Sequence, residues 1–191
     1  MPKLAILLTN GYADWECAFL NGIGNAYYGI KTKNVSPNGD AIVSQGGLQT
    51  IPDDTLASIK PEAFDVFVIC GGNIWETENA PEIQHLAEDF LDAGKHVVAI
   101  CGGTLALANA GILDDKKHTS NELEFLSTGS ENYSGHSHYI NEVTAVEDQR
   151  VITAPGHAPA HFSAAVFKAS GINKDRVSEF LAMLSAEHKQ N

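Results

Sequence analysis

The length, composition and charge of this 191-residue chain fit a single globular domain over residues 1–191 and disfavour several classes of partner. Twelve Lys and Arg against 24 Asp and Glu give a formal net charge of −12, which repels phosphate backbones and anionic lipid, so we expect neither a nucleic acid nor a membrane partner. Three cysteines without a C-x-x-C pair are typical of a reducing compartment. Because the sequence shows neither a secretory signal nor an apolar span, we expect a cytoplasmic protein.

Predicted strands and helices alternate along the chain. Apolar runs and turn signals predict strands at 3–8, 31–36, 41–44, 64–70, 96–100, 143–146 and 151–154. Helices are predicted at 13–28, 81–93, 104–110, 122–126, 159–170 and 175–188. In the first helix, Trp15, Phe19, Ile23 and Tyr27 are spaced four apart, which predicts that they form one apolar face. This alternation predicts a largely parallel sheet covered on both faces, with a ligand site beyond the carboxyl ends of its strands.

A cysteine stands between a predicted strand and the helix that follows it, in the segment A-I-C-G-G over residues 99–103. A nucleophile elbow needs small residues two positions before and two positions after the nucleophile, and Ala99 and Gly103 meet that demand around Cys101. Backbone N–H groups at a helix N-terminus favour the thiolate, so we expect them to lower the pKa of Cys101. The pattern alone leaves a second interpretation open, a buried cysteine with a packing role.

Two further features fall at the same end of the predicted sheet. Gly71 and Gly72 follow a strand, where glycines let backbone N–H groups approach a ligand and stabilise an oxyanion. A tight turn without a chemical role is the alternative. Glu16 lies in the first turns of the first helix and could reach the same cleft as Cys101, but Asp14 competes for that position and the spacing does not choose between them.

Four sequence blocks resemble the ThiJ/PfpI superfamily, part of the class I glutamine-amidotransferase-like group that includes PfpI-type intracellular proteases and the parkinsonism-linked deglycase. The blocks are L-L-T-N-G-Y-A-D-W-E-C (7–17), F-D-V-F-V-I-C-G-G-N (64–73), V-V-A-I-C-G-G-T-L-A-L-A (97–108) and I-T-A-P-G (152–156). They occur in the family's order and cover nearly the whole chain. The resemblance implies a flavodoxin-like three-layer α/β sandwich with a mostly parallel sheet, and a homodimer.

The resemblance also implies roles for individual residues. The nucleophilic cysteine of the family corresponds to Cys101. The family glutamate that hydrogen-bonds this thiol corresponds to Glu16, because Gly11 and Glu16 keep the family's spacing. The backbone donors to the oxyanion correspond to Gly72 and Gly102.

The chain departs from the family at one position. Many members carry a histidine twenty residues after the cysteine, where this chain has Asn121, whose amide can hydrogen-bond but cannot take a proton from a thiol. His118 would point to the opposite face of an extended segment, and His157, in the loop after the last strand, is the histidine best placed to compensate. Trp15 and Trp75 are both candidates for the wall of the pocket; a core role is equally open for Trp15, and Trp75 is the better candidate. We keep Asn121, His157, His118 and Trp75 as auxiliary residues of the site.

The histidines do not form a recognisable metal site. His136 with His138, and His157 with His161, could share a face, but no carboxylate or cysteine completes a ligand set at a known spacing. We therefore expect no metal and no other cofactor.

Two functions from different classes follow from these features. The first is a cysteine-dependent enzyme that attacks a carbonyl or amide carbon of a small molecule or peptide, as an amidase, a peptidase, or a glyoxalase- or deglycase-type lyase. The second is a redox sensor or stress chaperone without turnover, read out by oxidation of Cys101. A ligand-binding domain of a transcription regulator ranks below both, because a net charge of −12 does not suit DNA binding and we expect no helix-turn-helix segment in this sequence.

Overall fold

A seven-stranded sheet organises the computed structural model, which describes residues 1–186. The strands are β1 (Lys3–Leu7), β2 (Lys31–Ser36), β3 (Ile42–Val43), β4 (Gln49–Thr50), β5 (Asp54–Thr55), β6 (Val66–Ile69), β7 (His96–Ile100), β8 (Val146–Asp148) and β9 (Val151–Ala154). The order in the large sheet is β5-β2-β1-β6-β7-β9-β8, and all neighbours are parallel except β8 and β9. Strands β3 and β4 form a separate antiparallel hairpin.

Helices cover both faces of this sheet. They are α1 (Asp14–Phe19), a π-helical turn (Leu20–Gly24), α2 (Asn25–Tyr28), α3 (Gln84–Asp92), α4 (Gly103–Asn109), α5 (Leu123–Gly129), α6 (Pro159–Ala169) and α7 (Lys174–Ser185). Side chains alternate along β1, so Ala5 and Leu7 pack on the side of α3, α4 and α5, whereas Leu4 and Ile6 pack on the side of α1, α6 and α7. The result is a flavodoxin-like three-layer sandwich, which confirms the predicted fold class.

The parallel pairing brings the carboxyl ends of β1, β6 and β7 to one edge of the sheet. β1, β6 and β7 lie side by side, and Ile69 pairs with Leu7 on one side and with Ala99 on the other. The residues that follow these strands, among them Gly72 and Cys101, therefore meet at the carboxyl edge of the sheet.

The first helix departs from the prediction in two ways. A π-helical turn, Leu20–Gly24, interrupts it. The predicted apolar face is also only half buried: Phe19 and Ile23 are partly buried against the core, whereas Trp15 and Tyr27 are exposed. Glu16, Cys17 and Leu20 are buried instead. The face turned to the sheet thus carries a carboxyl group, which a count of apolar residues does not select.

Other boundaries also differ. The helix predicted from residue 81 begins at Gln84, and Pro81 lies before it. The strand predicted at 143–146 is β8, Val146–Asp148, which reaches β9 through the two-residue turn Gln149-Arg150 with both residues at positive φ. The final helix is described to Ser185, and the end predicted at residue 188 lies outside the described residues. Within residues 1–186, no helix has the length and apolarity required to cross a membrane.

Candidate active site

Cys101 occupies the strand-to-helix elbow that the sequence predicts. It follows β7 at once and has a φ of 55°, the left-handed region that non-glycine residues rarely adopt. Its N–H donates to the carbonyl of Ala154 at 3.0 Å, and its own carbonyl accepts from the N–H of Thr104 at 3.0 Å. A Cβ at Gly102 would lie 2.8 Å from the Gly72 oxygen, so this side of the turn has room only for glycine.

Glu16, rather than Asp14, is the carboxyl group beside this thiol. Glu16 is fully buried, its Oε2 accepts from the N–H of Gly71 at 2.8 Å, and its side chain lies next to that of Cys101. Among the described residues, its Oε1 has no hydrogen-bond partner. Asp14 turns away from the thiol and accepts hydrogen bonds from the Ser44 hydroxyl and the Gly46 N–H.

The thiol and the carboxyl of Glu16 shift each other's protonation. Burial raises the pKa of Glu16 from 4.5 to about 7, against the hydrogen bonds that it receives. Burial and the neighbouring Glu16 carboxylate raise the pKa of Cys101 from 9.0 to about 11. The lowered pKa expected for the thiol is therefore wrong in direction, because those two effects exceed the stabilisation from the Gly102 N–H and the Asn121 amide. Between about pH 7 and pH 11 the two groups hold one proton between them.

Asn121 connects the thiol to the loop after β9. Its Nδ2 donates to the Cys101 Sγ at 3.4 Å, and its Oδ1 accepts from the N–H of Gly156 at 2.9 Å. Gly156 closes the site from that side, since a Cβ there would lie 2.7 Å from the Cys101 Sγ and 3.3 Å from the Glu16 Oε1. The amide of Asn121 therefore holds both the Cys101 sulfur and the loop at Gly156 in position.

Neither candidate histidine replaces that amide. His118 is buried on the other side of its segment, where its Nε2 is 2.6 Å from the Tyr133 hydroxyl and its Nδ1 is 2.7 Å from the Lys116 carbonyl. Burial lowers the pKa of His118. His157 is exposed and does not line the cavity above the thiol.

The cavity above Cys101 has a volume of about 120 Å³. Trp75 does not line it, contrary to the prediction: it is 2% exposed, and its indole N–H donates to the Cys70 carbonyl at 2.8 Å. The exposed Trp15 lines the cavity instead, together with residues that the sequence analysis did not identify, namely Gln45, Asn73, Glu76 and Phe125. They come from separate loops and helices, so no local motif marks them.

Backbone amides complete the cavity. Gly72 and Gly102 both line it, and the backbone N–H of Gly102 acts to lower the pKa of the Cys101 thiol, against the stronger effects of burial and Glu16. In the described part of the chain, no group of three His, Cys, Asp or Glu side chains comes together as a metal site. The arrangement is a thiol, a carboxyl group and backbone donors around a small opening, the parts that nucleophilic attack on a carbonyl carbon requires.

Comparisons with known proteins agree with this architecture. The model of the DJ-1/PfpI family matches residues 2–169. An uncharacterised protease of Bacillus subtilis, YoaZ, is 34% identical over 173 residues, which cover 87% of this chain and 82% of that protein. A deglycase of Pyrococcus horikoshii is 28% identical over 124 residues, 62% of this chain and 71% of its own. The crystal structure of a DJ-1 superfamily protein from Agrobacterium tumefaciens superposes with a TM-score of 0.94 at 34% identity, covering 99% of this chain and 100% of that one.

Proposed function

The chain belongs to the DJ-1/PfpI family, and we propose that it is an enzyme in which Cys101 attacks the carbonyl or amide carbon of a small molecule or peptide. One observation carries this proposal. Cys101 adopts a φ of 55° at the end of β7, and this strained turn holds its sulfur at the floor of the cavity, beside a fully buried carboxyl group. Relatives named as a protease and a deglycase support a hydrolase-like reaction at the level of the family.

Cys101 becomes the nucleophile when the single proton that it shares with Glu16 moves to Glu16. When that proton lies on Glu16, Cys101 is a thiolate, and its electron pair forms a sulfur–carbon bond as the carbonyl π electrons move to oxygen. The N–H groups of Gly72 and Gly102 are the donors for the resulting oxyanion. An aldehyde then takes the proton from Glu16 and becomes a hemithioacetal.

An amide substrate needs two further steps. The carbon–nitrogen bond breaks, and the leaving nitrogen takes the proton of Glu16. The thioester on Cys101 is then hydrolysed by water, which returns one proton to the pair. Asn121 takes no proton in this scheme; its amide holds the sulfur and the Gly156 loop in place.

The test is turnover of a substrate panel by the variant Cys101→Ser. The panel contains α-oxoaldehydes, simple amides and chromogenic peptides, and Cys17→Ser is the matched control, since Cys17 is buried away from the cavity. We expect Cys101→Ser to lose at least about a hundredfold in rate with any substrate that the wild type turns over, and Cys17→Ser to keep its rate. Full turnover by Cys101→Ser would refute the assignment.

A redox sensor remains the second candidate, because Cys101 is the one partly exposed thiol of the three in this chain. A protonated Glu16 could donate to a sulfinate formed there by peroxide. Peptide mass spectrometry after mild peroxide treatment should find two added oxygen atoms on Cys101 before either other cysteine changes. Even oxidation of all three cysteines would contradict this candidate.

A homodimer is also part of the proposal. Trp15 of α1 and three residues of the β3–β4 hairpin region, Val43, Leu48 and Ile51, are exposed apolar side chains. The hairpin loop meets α1 through the hydrogen bonds to Asp14, so these side chains belong to one region of the surface. Light scattering should give twice the chain mass, and Ile51→Lys should shift the distribution toward the monomer; a wild-type monomer at micromolar concentration would contradict a stable dimer.

A further inference from the structure

The cavity above Cys101 has one charged side chain on its open rim. Glu76 ends the short helical turn Asn73–Glu76, is exposed to solvent and lines the cavity. The other carboxyl group of the cavity, Glu16, is buried at its floor. The described residues that line the cavity include no Lys, Arg or His.

In the part of the chain that the structure describes, no cation is paired with this rim carboxylate. Within residues 1–186, none of the ion pairs shorter than 4.0 Å involves Glu76. The chain as a whole carries a formal charge of −12, so its general field has the same sign as the rim. A carboxylate beside a narrow opening raises the local concentration of cations and lowers that of anions.

The remaining walls of the cavity suit a cation or a neutral group. Trp15 and Phe125 present aromatic rings, whose faces attract ammonium and guanidinium groups. Gln45 and Asn73 add uncharged amides, and their side chains form a hydrogen bond of 3.5 Å across the rim. Nothing on this wall provides the cationic donor that a carboxylate or phosphate group of a ligand requires.

We infer that Glu76 makes Cys101 selective for electrophiles that are neutral or positively charged, and that it excludes anionic ones. This inference rests on the proposed role of Cys101 as a nucleophile and specifies its substrate class. The substrate is a carbonyl or amide compound that is uncharged, or that bears an ammonium or guanidinium group near the reacting carbon. 2-Oxo acids and phosphorylated aldehydes are disfavoured, because their charge would meet Glu76.

Two methanethiosulfonate probes of similar size, one bearing a trimethylammonium group and the other a sulfonate, test this selectivity. In each reaction the Cys101 thiolate attacks the sulfenyl sulfur, a disulfide forms, and methanesulfinate leaves with the electrons of the broken sulfur–sulfur bond. The readout is the ratio of the two second-order rate constants at Cys101, resolved by peptide mass spectrometry and divided by the same ratio for a free thiol. Both probes react with the same thiolate, so the pKa of Cys101 cancels in this ratio.

The variants are Glu76→Gln, Glu76→Lys and the control Glu78→Gln. Glu78 is an exposed carboxylate two residues further on that does not line the cavity. At low ionic strength we expect Glu76→Gln to lower the cation-to-anion ratio by about three- to tenfold, Glu76→Lys to lower it further, and Glu78→Gln to leave it nearly unchanged. Adding about 0.5 M salt should shrink the effect of Glu76→Gln, because it shortens the range of exposed charges.

Two results would overturn the inference, and they are distinguishable. If Cys101 reacts rapidly with both probes but Glu76→Gln leaves the ratio unchanged, the charge selectivity is wrong and the nucleophile assignment stands. If Cys101 reacts with neither probe faster than Cys17 and Cys70 do, the nucleophile assignment fails, and the inference fails with it.

Discussion

Replacing Glu16 with glutamine should make the protein more stable above pH 7. In the unfolded chain this carboxyl group loses its proton near 4.5, whereas burial raises its pKa to about 7 in the folded chain. Because the pKa of Glu16 is higher in the folded state, the contribution of Glu16 to the free energy of unfolding is fully present below pH 4.5 and is lost as the pH rises to about 7. Glutamine has nearly the same shape and no charge, and its amide oxygen can still accept the hydrogen bond from Gly71.

The size of the effect follows from the two pKa values of Glu16. Each tenfold change in a dissociation constant is worth about 1.4 kcal/mol, so a rise from 4.5 to about 7 costs the wild type about 3 kcal/mol of unfolding free energy at pH 8. At pH 5 most of this cost is absent, because the folded carboxyl group is protonated. About 0.8 kcal/mol of the cost is already present at pH 5, so the advantage of Glu16→Gln over the wild type should grow by about 2.5 kcal/mol between pH 5 and pH 8.

Urea unfolding of both proteins at pH 5 and pH 8, followed by tryptophan fluorescence, measures this difference. Trp75 is buried and should report the transition. Glu62→Gln is the control, because Glu62 is exposed and should change stability equally little at both pH values. If Glu16→Gln differs from the wild type by the same amount at pH 5 and pH 8, Glu16 does not ionise as a buried carboxyl group, and the reasoning is refuted.

Two further substitutions test the walls of the site, and a third tests that His118 lies outside it. Gly156→Ala should slow the reaction of Cys101 with iodoacetamide at least about tenfold, because the added Cβ would lie 2.7 Å from the sulfur. Gly22→Ala is the control and should keep the wild-type rate, because no atom lies within 4 Å of its Cβ. Equal rates for the two variants would contradict the structure. Asn121→Asp should raise the pKa of the Cys101 thiol, because a carboxylate replaces the N–H donor to its sulfur. Alkylation of Cys101 at pH 8 should therefore be slower in Asn121→Asp than in Asn121→Ala. Faster alkylation in the Asp variant would contradict this prediction. His118→Phe should lower the unfolding free energy by about 1–3 kcal/mol, because the buried Tyr133 hydroxyl loses its hydrogen-bond partner. The rate of Cys101 alkylation in the folded variant should stay unchanged. A changed rate would assign His118 to the chemistry of the site.

The sequence carries the parts of the site that depend on local backbone geometry. The elbow at Cys101 follows from small residues around a strand end, and the structure confirms it through the φ of 55°. The opposite orientations of His118 and Asn121 follow from their odd offset in an extended segment, which the structure also confirms. Both patterns lie within a few residues of chain.

The missed features are tertiary. The periodicity of the first helix selected an apolar face that includes Trp15 and left a core role and a cavity role equally open for it, whereas the structure buries Glu16 and leaves Trp15 exposed at the cavity. The direction of the thiol pKa depends on burial and on Glu16, two effects that a helix N-terminus alone does not reveal. Glu76 and Phe125 reach the cavity from elements that are far apart in the chain, so no spacing predicts that they meet.

The rate of Cys101 alkylation against pH tests the central claim, that Cys101 and Glu16 share one proton and so provide a nucleophile at neutral pH. Once the pair has lost its first proton, a fixed fraction of the molecules carry the remaining proton on Glu16 and have Cys101 as a thiolate. The amount of this thiolate therefore rises as the pair loses its first proton. We predict a step in the rate near pH 7, a plateau, and a second rise toward pH 11, with the first step absent in Glu16→Gln. A single rise at or above the ordinary thiol pKa of 9.0, identical in the wild type and Glu16→Gln, would contradict the account.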